Sequence, residues 1–136
     1  MFIPETLPNE PLTLAQAIAR VEGWYAQGQV PNRPQRNNNP GDIEMGFFAM
    51  KFGAKNGDPR FAIFPSAQNG WRALNALLKT DSYIDLTVRE AISRYAPPNE
   101  NDVDMYVAAV CNWTKTTPTD TVRAVLELQH TMIIDT

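Results

Sequence analysis

The sequence predicts an α+β domain, mainly α, with a small antiparallel sheet inserted after the first long helix. Three observations carry this. Apolar residues recur at helical spacing in several stretches, the first being Leu14, Ile18, Val21 and Tyr25. Residues 42–64 are rich in Phe, Met and Ile but broken by Gly46, Gly53 and Asn56-Gly57-Asp58-Pro59, the punctuation of short strands. The chain has 136 residues, 43% hydrophobic and 20% charged, which suits one domain with one core.

The elements follow in order. Residues 1–12 are proline-rich and read as an N-terminal arm. Thr13-Leu14-Ala15-Gln16 is a capping box that opens a helix over residues 14–27, with Gly28 as its stop. Residues 29–41 read as loop, closing on Asn-Pro-Gly, which fits a type II turn. Strands are expected near 42–45 and 60–64. Ser66 caps a second helix carrying Trp71, Leu74, Leu77 and Leu78. Thr87-Val88-Arg89-Glu90 is another capping box, and its helix stops before Pro97-Pro98. Asn101, with Asp104 at N3, opens a helix through Val110, and Thr117-Pro118 places an N-cap before the last one.

Composition excludes several functions. The net charge of −3 comes with scattered Lys and Arg, so nucleic acid is not an expected partner. The single cysteine, Cys111, permits no intrachain disulfide and no thiolate cluster, and reads as a buried, inert thiol. With His130 the only histidine, Cys/His and Ser/His/Asp chemistry is rejected. No metal or other cofactor is implied. No segment reads as a membrane span, and residues 1–11 carry neither a basic stretch nor an apolar run, so synthesis in the cytoplasm without a signal peptide is expected.

Projected at ~100° per residue, Leu14, Val21 and Tyr25 fall within ~60° on one side of Ile18, and Glu22 falls ~40° to the other. Glu22 thus borders the core stripe, flanked by Ala15, Ala19 and Ala26, small residues expected to leave room beside the carboxylate. Partial burial and the negative end of the helix dipole both disfavour its anion. A glutamate kept protonated is what a glycosidase general acid requires. From helix position alone, a structural ion pair with Arg20 or Arg36 is the commoner explanation.

The surrounding order of residues is more specific. Ala19-Arg20-Val21-Glu22-Gly23-Trp24-Tyr25 is followed by Arg36-Asn37-Asn38-Asn39-Pro40-Gly41-Asp42-Ile43-Glu44. Then come Arg60 to Ser66, Gly70 to Leu74, Thr87 to Ile92, Tyr95-Ala96-Pro97-Pro98, and Glu100-Asn101-Asp102 to Tyr106-Val107. Over residues 14–111 this resembles the small phage and prophage peptidoglycan-degrading domains of the lysozyme-like superfamily. The resemblance implies helix, β-hairpin, then helices, with a sugar groove between the first helix and the hairpin. It assigns the catalytic glutamate to Glu22. The stretch from Asp104 to Val110 is also similar to the tyrosine-containing helix of Slt-type lytic transglycosylases, which makes Tyr106 a candidate beside the catalytic acid; a core aromatic is the other reading.

The resemblance leads one to expect Asn after Pro-Gly, where this chain has Asp42. With Glu44, two acids then lie on the first strand, and strict alternation would turn them to one side. Either is a candidate partner for Glu22, stabilising positive charge or positioning water; a turn-capping Asp42 and a solvated Glu44 are the alternative. Asn37, Asn38 and Asn39 offer amides suited to sugar N-acetyl and hydroxyl groups, or simply close the turn. Gln68 and Asn69 are further substrate-binding candidates. Trp71 reads as core, and Trp113 and Thr114 as a wall after the Tyr106 helix.

The expected function is cleavage of the β-1,4 bond between N-acetylmuramic acid and N-acetylglucosamine, by a muramidase or a lytic transglycosylase. The expected partner is the peptidoglycan glycan strand, the expected state a monomer, and the setting a phage endolysin or virion-associated protein acting on the cell wall. The rival reading is a non-catalytic phage structural or wall-binding protein, since fold does not guarantee activity. A chitin-type glycosidase is a third.

Overall fold

The computed structural model describes residues 5–135, with side chains as far as His130; the first four residues of the expected arm lie outside the described residues. The described residues form seven helices and a two-stranded antiparallel sheet. In chain order these are α1 (Leu14–Glu22), α2 (Arg33–Arg36), α3 (Phe47–Met50), β1 (Asn56–Gly57), β2 (Ala62–Ile63), α4 (Ala67–Leu78), α5 (Val88–Tyr95), α6 (Val103–Thr114) and α7 (Val122–Asp135). The mainly helical α+β class holds. The described residues divide into two compact units, one built from Ile18–Leu77 with residues 5–8, the other from Asn9–Ala17 with residues 78–135.

In the first unit, α1 ends five residues earlier than the spacing predicts. Gly23 adopts φ 103°, and its N–H and that of Trp24 donate to Arg20 and Ala19, the paired bonds of a Schellman stop. Gly23, not Gly28, therefore terminates the helix. The apolar stripe is also rotated from its expected position. Val21 is 36% exposed, whereas Ala15 and Ala19 are 2% and 0% exposed. Ala15 and Ala19 are thus packed rather than beside an open space, while Ala26 lies beyond the helix end and is exposed.

Residues expected to be loop contain α2. Asn32 caps it, its side chain accepting from the Gln35 N–H while Gln35 Oε1 accepts from the Asn32 N–H. The strand expected over 42–45 shrinks to a single bridge between Glu44 and Phe61, extended by Ala62 N–H to Ile43 O and Met45 N–H to Arg60 O. Asp42 cannot join it, because its φ is 50°. The two-residue strands instead pair Asn56 with Ile63 and Gly57 with Ala62.

In the second unit, Thr13 and Gln16 form the predicted box at the start of α1, and Thr87 with Glu90 that of α5. Two starts differ. Asp102, not Asn101, caps α6, because its carboxylate reaches the Met105 N–H. Residues 117–120 close a turn, and Thr121 caps α7 through the Ala124 N–H. Helix α6 runs beyond Val110 to Thr114 and packs against α5. Val88, Ile92, Val107, Val110 and Val122 are at most 1% exposed and form this unit's core.

Candidate functional site

Glu22 is the last residue of α1 and is half-buried. Its position is set by what happens immediately after it. The chain reverses at Gly23, and the α2 cap then binds the carbonyls the reversal leaves over. Asn32 Nδ2 donates to Gly23 O at 2.8 Å; Gln35 Nε2 donates to Trp24 O at 3.0 Å and Ala26 O at 2.8 Å. Gln35 is 4% exposed, so these are interior bonds that would be costly to leave unmade. Trp24 and Tyr25 turn inward onto Ala19, with Leu7, Ala67 and Trp71 packed around them. Trp24 meets Trp71 edge-on, ring centres 6.1 Å apart. Glu5 accepts from both indole N–H groups, at 3.4 Å from Trp24 and 3.0 Å from Trp71. Burial, aided by the charge of Glu5, pushes the Tyr25 hydroxyl up to about 12. Trp71, expected in the core, is only partly buried.

The two acids after the loop do not share a side. Asp42 is 8% exposed, held in the left-handed region that Asp and Asn tolerate best. Both its oxygens accept from Arg33 Nε, at 3.0 and 3.1 Å, and Nη2 adds a further bond. Arg33 in turn lies 3.7 Å above the Phe61 ring. The Asp42 bond holds the Arg33 guanidinium more firmly protonated, and the charge of Glu22 acts in the same direction. Glu44 faces outward and pairs with Arg60 at 3.0 Å. Alternation fails here because Asp42 is a turn residue and only Glu44 is extended.

The three asparagines serve different ends. Asn39 is fully buried: its Nδ2 donates to Ile43 O and Ala62 O, and its Oδ1 accepts from the Ile43 N–H, all at 2.9 Å. Both amide hydrogens are used, so the expectation that Asn39 contacts sugar is corrected; it stitches the turn to β2. Asn38 sits at φ 53° and donates to Phe64 O. Asn37 is 2% exposed; among the described residues its buried Nδ2 has no hydrogen-bond partner of good geometry, and its side chain lies near enough to Asp58 to help lower that carboxyl. The Asp58 carboxyl lies below its usual range, chiefly through its bond from Arg36.

Helix α4 begins against this turn. A side chain at Gly70 would start 2.1 Å from Asn38 O and 2.7 Å from Pro40 Cδ, so only glycine lets α4 lie so close. Asn69 is also structural: it caps with Ser66 and donates to Phe52 O. The bond to Phe52 O uses one of its two amide hydrogens, and the side chain is half-buried. Gln68 beside it is exposed. Tyr106, 5% exposed, belongs to α6 in the second unit, as do Trp113 and Thr114, whose hydroxyl donates to Val110 O. Cys111 is buried, and burial raises its thiol above its usual range.

Sequence patterns alone overlooked Arg33 and Glu5. A signal for the first was present: Asn32-Arg33-Pro34-Gln35 carries an N-cap, an early proline and a glutamine at N3. Nothing in the arm's composition marks Glu5 as the acceptor for two indoles. Among the described residues no three acidic, His or Cys side chains gather as a metal site, and no helix is long and apolar enough to cross a membrane. No known protein family, curated protein or solved structure matches the chain.

Proposed function

We propose that the protein is a peptidoglycan-degrading glycosidase of the lysozyme-like superfamily, with Glu22 as general acid at the bond between N-acetylmuramic acid and N-acetylglucosamine. The observation that carries this is the placement of Glu22. It is a half-buried carboxylate on the final residue of α1, where the carbonyl end of the helix disfavours the anion and the charge of Arg33 favours it. The turn that follows is fixed by the Asn32–Gln35 cap, so the carboxylate is presented from a braced segment. The order of motifs over residues 14–111, which resembles that of the superfamily, supports this reading.

In this reading Glu22 gives its proton to the bridging oxygen as the bond to the muramic acid breaks. The resulting carboxylate then takes the proton of the attacking hydroxyl. A muramidase commonly sets a second carboxylate beside the cleaved bond; a lytic transglycosylase lets the sugar's own 6-hydroxyl attack and needs one acid. Asp42 is clamped by Arg33 and Glu44 is paired outward with Arg60. Those two pairs favour the single-carboxylate route.

The test is turbidity clearing of purified peptidoglycan, with Glu22→Gln as comparison. Clearing by the native protein and a rate lowered about 100-fold or more in the variant support the assignment. Equal clearing by both removes Glu22 from the role. No clearing by the native protein favours a binding module of the same fold, and cleavage of chitin oligomers in preference to peptidoglycan reassigns the substrate.

A further inference from the structure

The segment from Gly46 to Lys55 shows an apolar surface that the packing of its unit does not use. Phe47 is 86% exposed and Met50 53% exposed. Three residues apart on α3, they lie on one side of the turn, with Lys51 beside them. Phe48 and Phe52, four apart, meet at a tilt with ring centres 5.3 Å apart and are half-buried. The side opposite Phe47 is anchored by Ala49, which is fully buried.

This exposure is imposed by a braced backbone. The Met50 N–H donates to Gly46 O, the Ala54 N–H to Ala49 O, and Asn69 Nδ2 to Phe52 O. Gly53, at φ 93°, fits between Pro65 and Asn69, where a side chain would start 3.1 and 3.3 Å from them. The local charge runs against that of the whole molecule. The chain carries −3, yet residues 46–55 hold Lys51 and Lys55 and no acid. Both lysines are exposed, and among the described residues neither forms an ion pair.

An exposed Phe and Met flanked by lysines match an interface that is apolar below and anionic at its surface. We infer that residues 46–55 are a docking element for an anionic lipid bilayer, with Phe47 and Met50 entering the headgroup boundary and Lys51 and Lys55 meeting lipid phosphates. The element lies on the membrane and does not cross it. The charge pattern separates this from docking of a second copy, whose like-charged lysines would face one another across a two-fold axis. The inference is independent of any chemistry at Glu22.

The test uses the full chain in co-sedimentation with vesicles of phosphatidylcholine alone, or mixed with roughly a third of phosphatidylglycerol. The native protein is expected to pellet with the mixed vesicles, to bind the neutral ones weakly, and to be released at about 0.5 M salt. The double variant Phe47→Ser, Met50→Ser should bind at least tenfold more weakly, and Lys51→Gln with Lys55→Gln should lose most of the preference for the anionic lipid, about tenfold or more. These side chains are exposed, so unchanged circular dichroism and melting midpoint verify that the variants fold. Absence of binding to either vesicle overturns the inference, as does equal binding to both. Anionic binding that survives Phe47→Ser, Met50→Ser overturns the choice of patch. A concentration-dependent dimer that this variant abolishes, without vesicle binding, assigns the patch to a second copy instead.

Discussion

Asn32 Nδ2 donates a 2.8 Å hydrogen bond to Gly23 O, and the same nitrogen lies 3.1 Å from where a Gly23 side chain would begin. The residue after Glu22 is thus held in a conformation that suits glycine and in a space that admits little else. Gly23→Ala should cost about 1–3 kcal/mol, from a positive φ and a displaced Asn32 amide together. Urea unfolding measures it. A midpoint equal to that of the native protein would show that the Gly23–Asn32 contact does not brace the end of α1.

Gly70 is constrained differently, by space alone. A methyl group 2.1 Å from Asn38 O has a rigid backbone atom in its way, so either α4 or the 38–40 turn must move. Gly70→Ala should destabilise by about 3 kcal/mol, although alanine is the better helix former. A stabilised variant, as helix propensity alone would give, would mean that α4 does not approach the turn so closely.

These two glycines show what the sequence could and could not reveal. Capping boxes at Thr13 and Thr87 were legible because they are local: a hydroxyl, three residues, and a Gln or Glu that reaches back. The pairing of the segment after Asp42 with residues 60–62 was also legible from its apolar character, though as a bridge rather than a full strand. The end of α1 was not. Periodicity through Tyr25 continued past Gly23, and only the tertiary demand that Trp24 and Tyr25 turn onto Ala19 decides between the two glycines. The roles of Asn39 and Asp42 stayed open between turn and site for the same reason. A turn asparagine and a sugar-binding asparagine have the same chemistry, and what separates them is whether Ile43 and Ala62 or a ligand occupies the amide.

The Arg33–Asp42 pair offers an asymmetric stability test. Asp42's side chain is 3% exposed while Arg33's is 42% exposed. Removing the arginine strands a buried carboxylate; removing the carboxylate's charge leaves an arginine that water can solvate. Arg33→Met should therefore cost about 2–3 kcal/mol and Asp42→Asn about 1 kcal/mol, with the double variant below the sum of the two. A double-mutant cycle by urea unfolding measures all three. Additive costs would mean that the two side chains act independently.

Tyr25 gives a prediction in alkali. Its hydroxyl is raised from 10.0 to about 12, by burial first and the charge of Glu5 second. Above pH 10 the unfolded chain releases this proton while the folded one retains it, so the folded state binds more protons and loses stability as pH rises. The loss should begin near pH 10 and level off near pH 12, with a slope of at most about 1.4 kcal/mol per pH unit. Absorbance at the phenolate band, compared between native protein and Tyr25→Phe, isolates this one group. A Tyr25 that titrates with free tyrosine would show that water reaches its hydroxyl.

For the proposed glycan cleavage, the route is decided by separating Asp42 and Glu44 from Glu22. If either of the later acids positioned a water, its amide variant would lose clearing as severely as Glu22→Gln. In the arrangement described, Asp42's oxygens are occupied by Arg33, and Glu44 lies on the exposed edge with Arg60. An exposed pair of that kind contributes little to stability, about 0–1 kcal/mol, so Glu44→Gln leaves the fold intact and tests chemistry directly. Glu44→Gln should clear peptidoglycan within about threefold of the native rate, and Asp42→Asn should do so at a temperature where it remains folded, whereas Glu22→Gln loses about 100-fold or more. Mass spectrometry of the released muropeptides supplies the independent readout. The single-carboxylate route yields muramic acid ends lacking one water, because the 6-hydroxyl replaces water as the nucleophile. Products carrying that water, together with a loss of clearing in Asp42→Asn comparable to that in Glu22→Gln, would instead make Asp42 the second carboxylate of a muramidase, with Arg33 as its positioning partner.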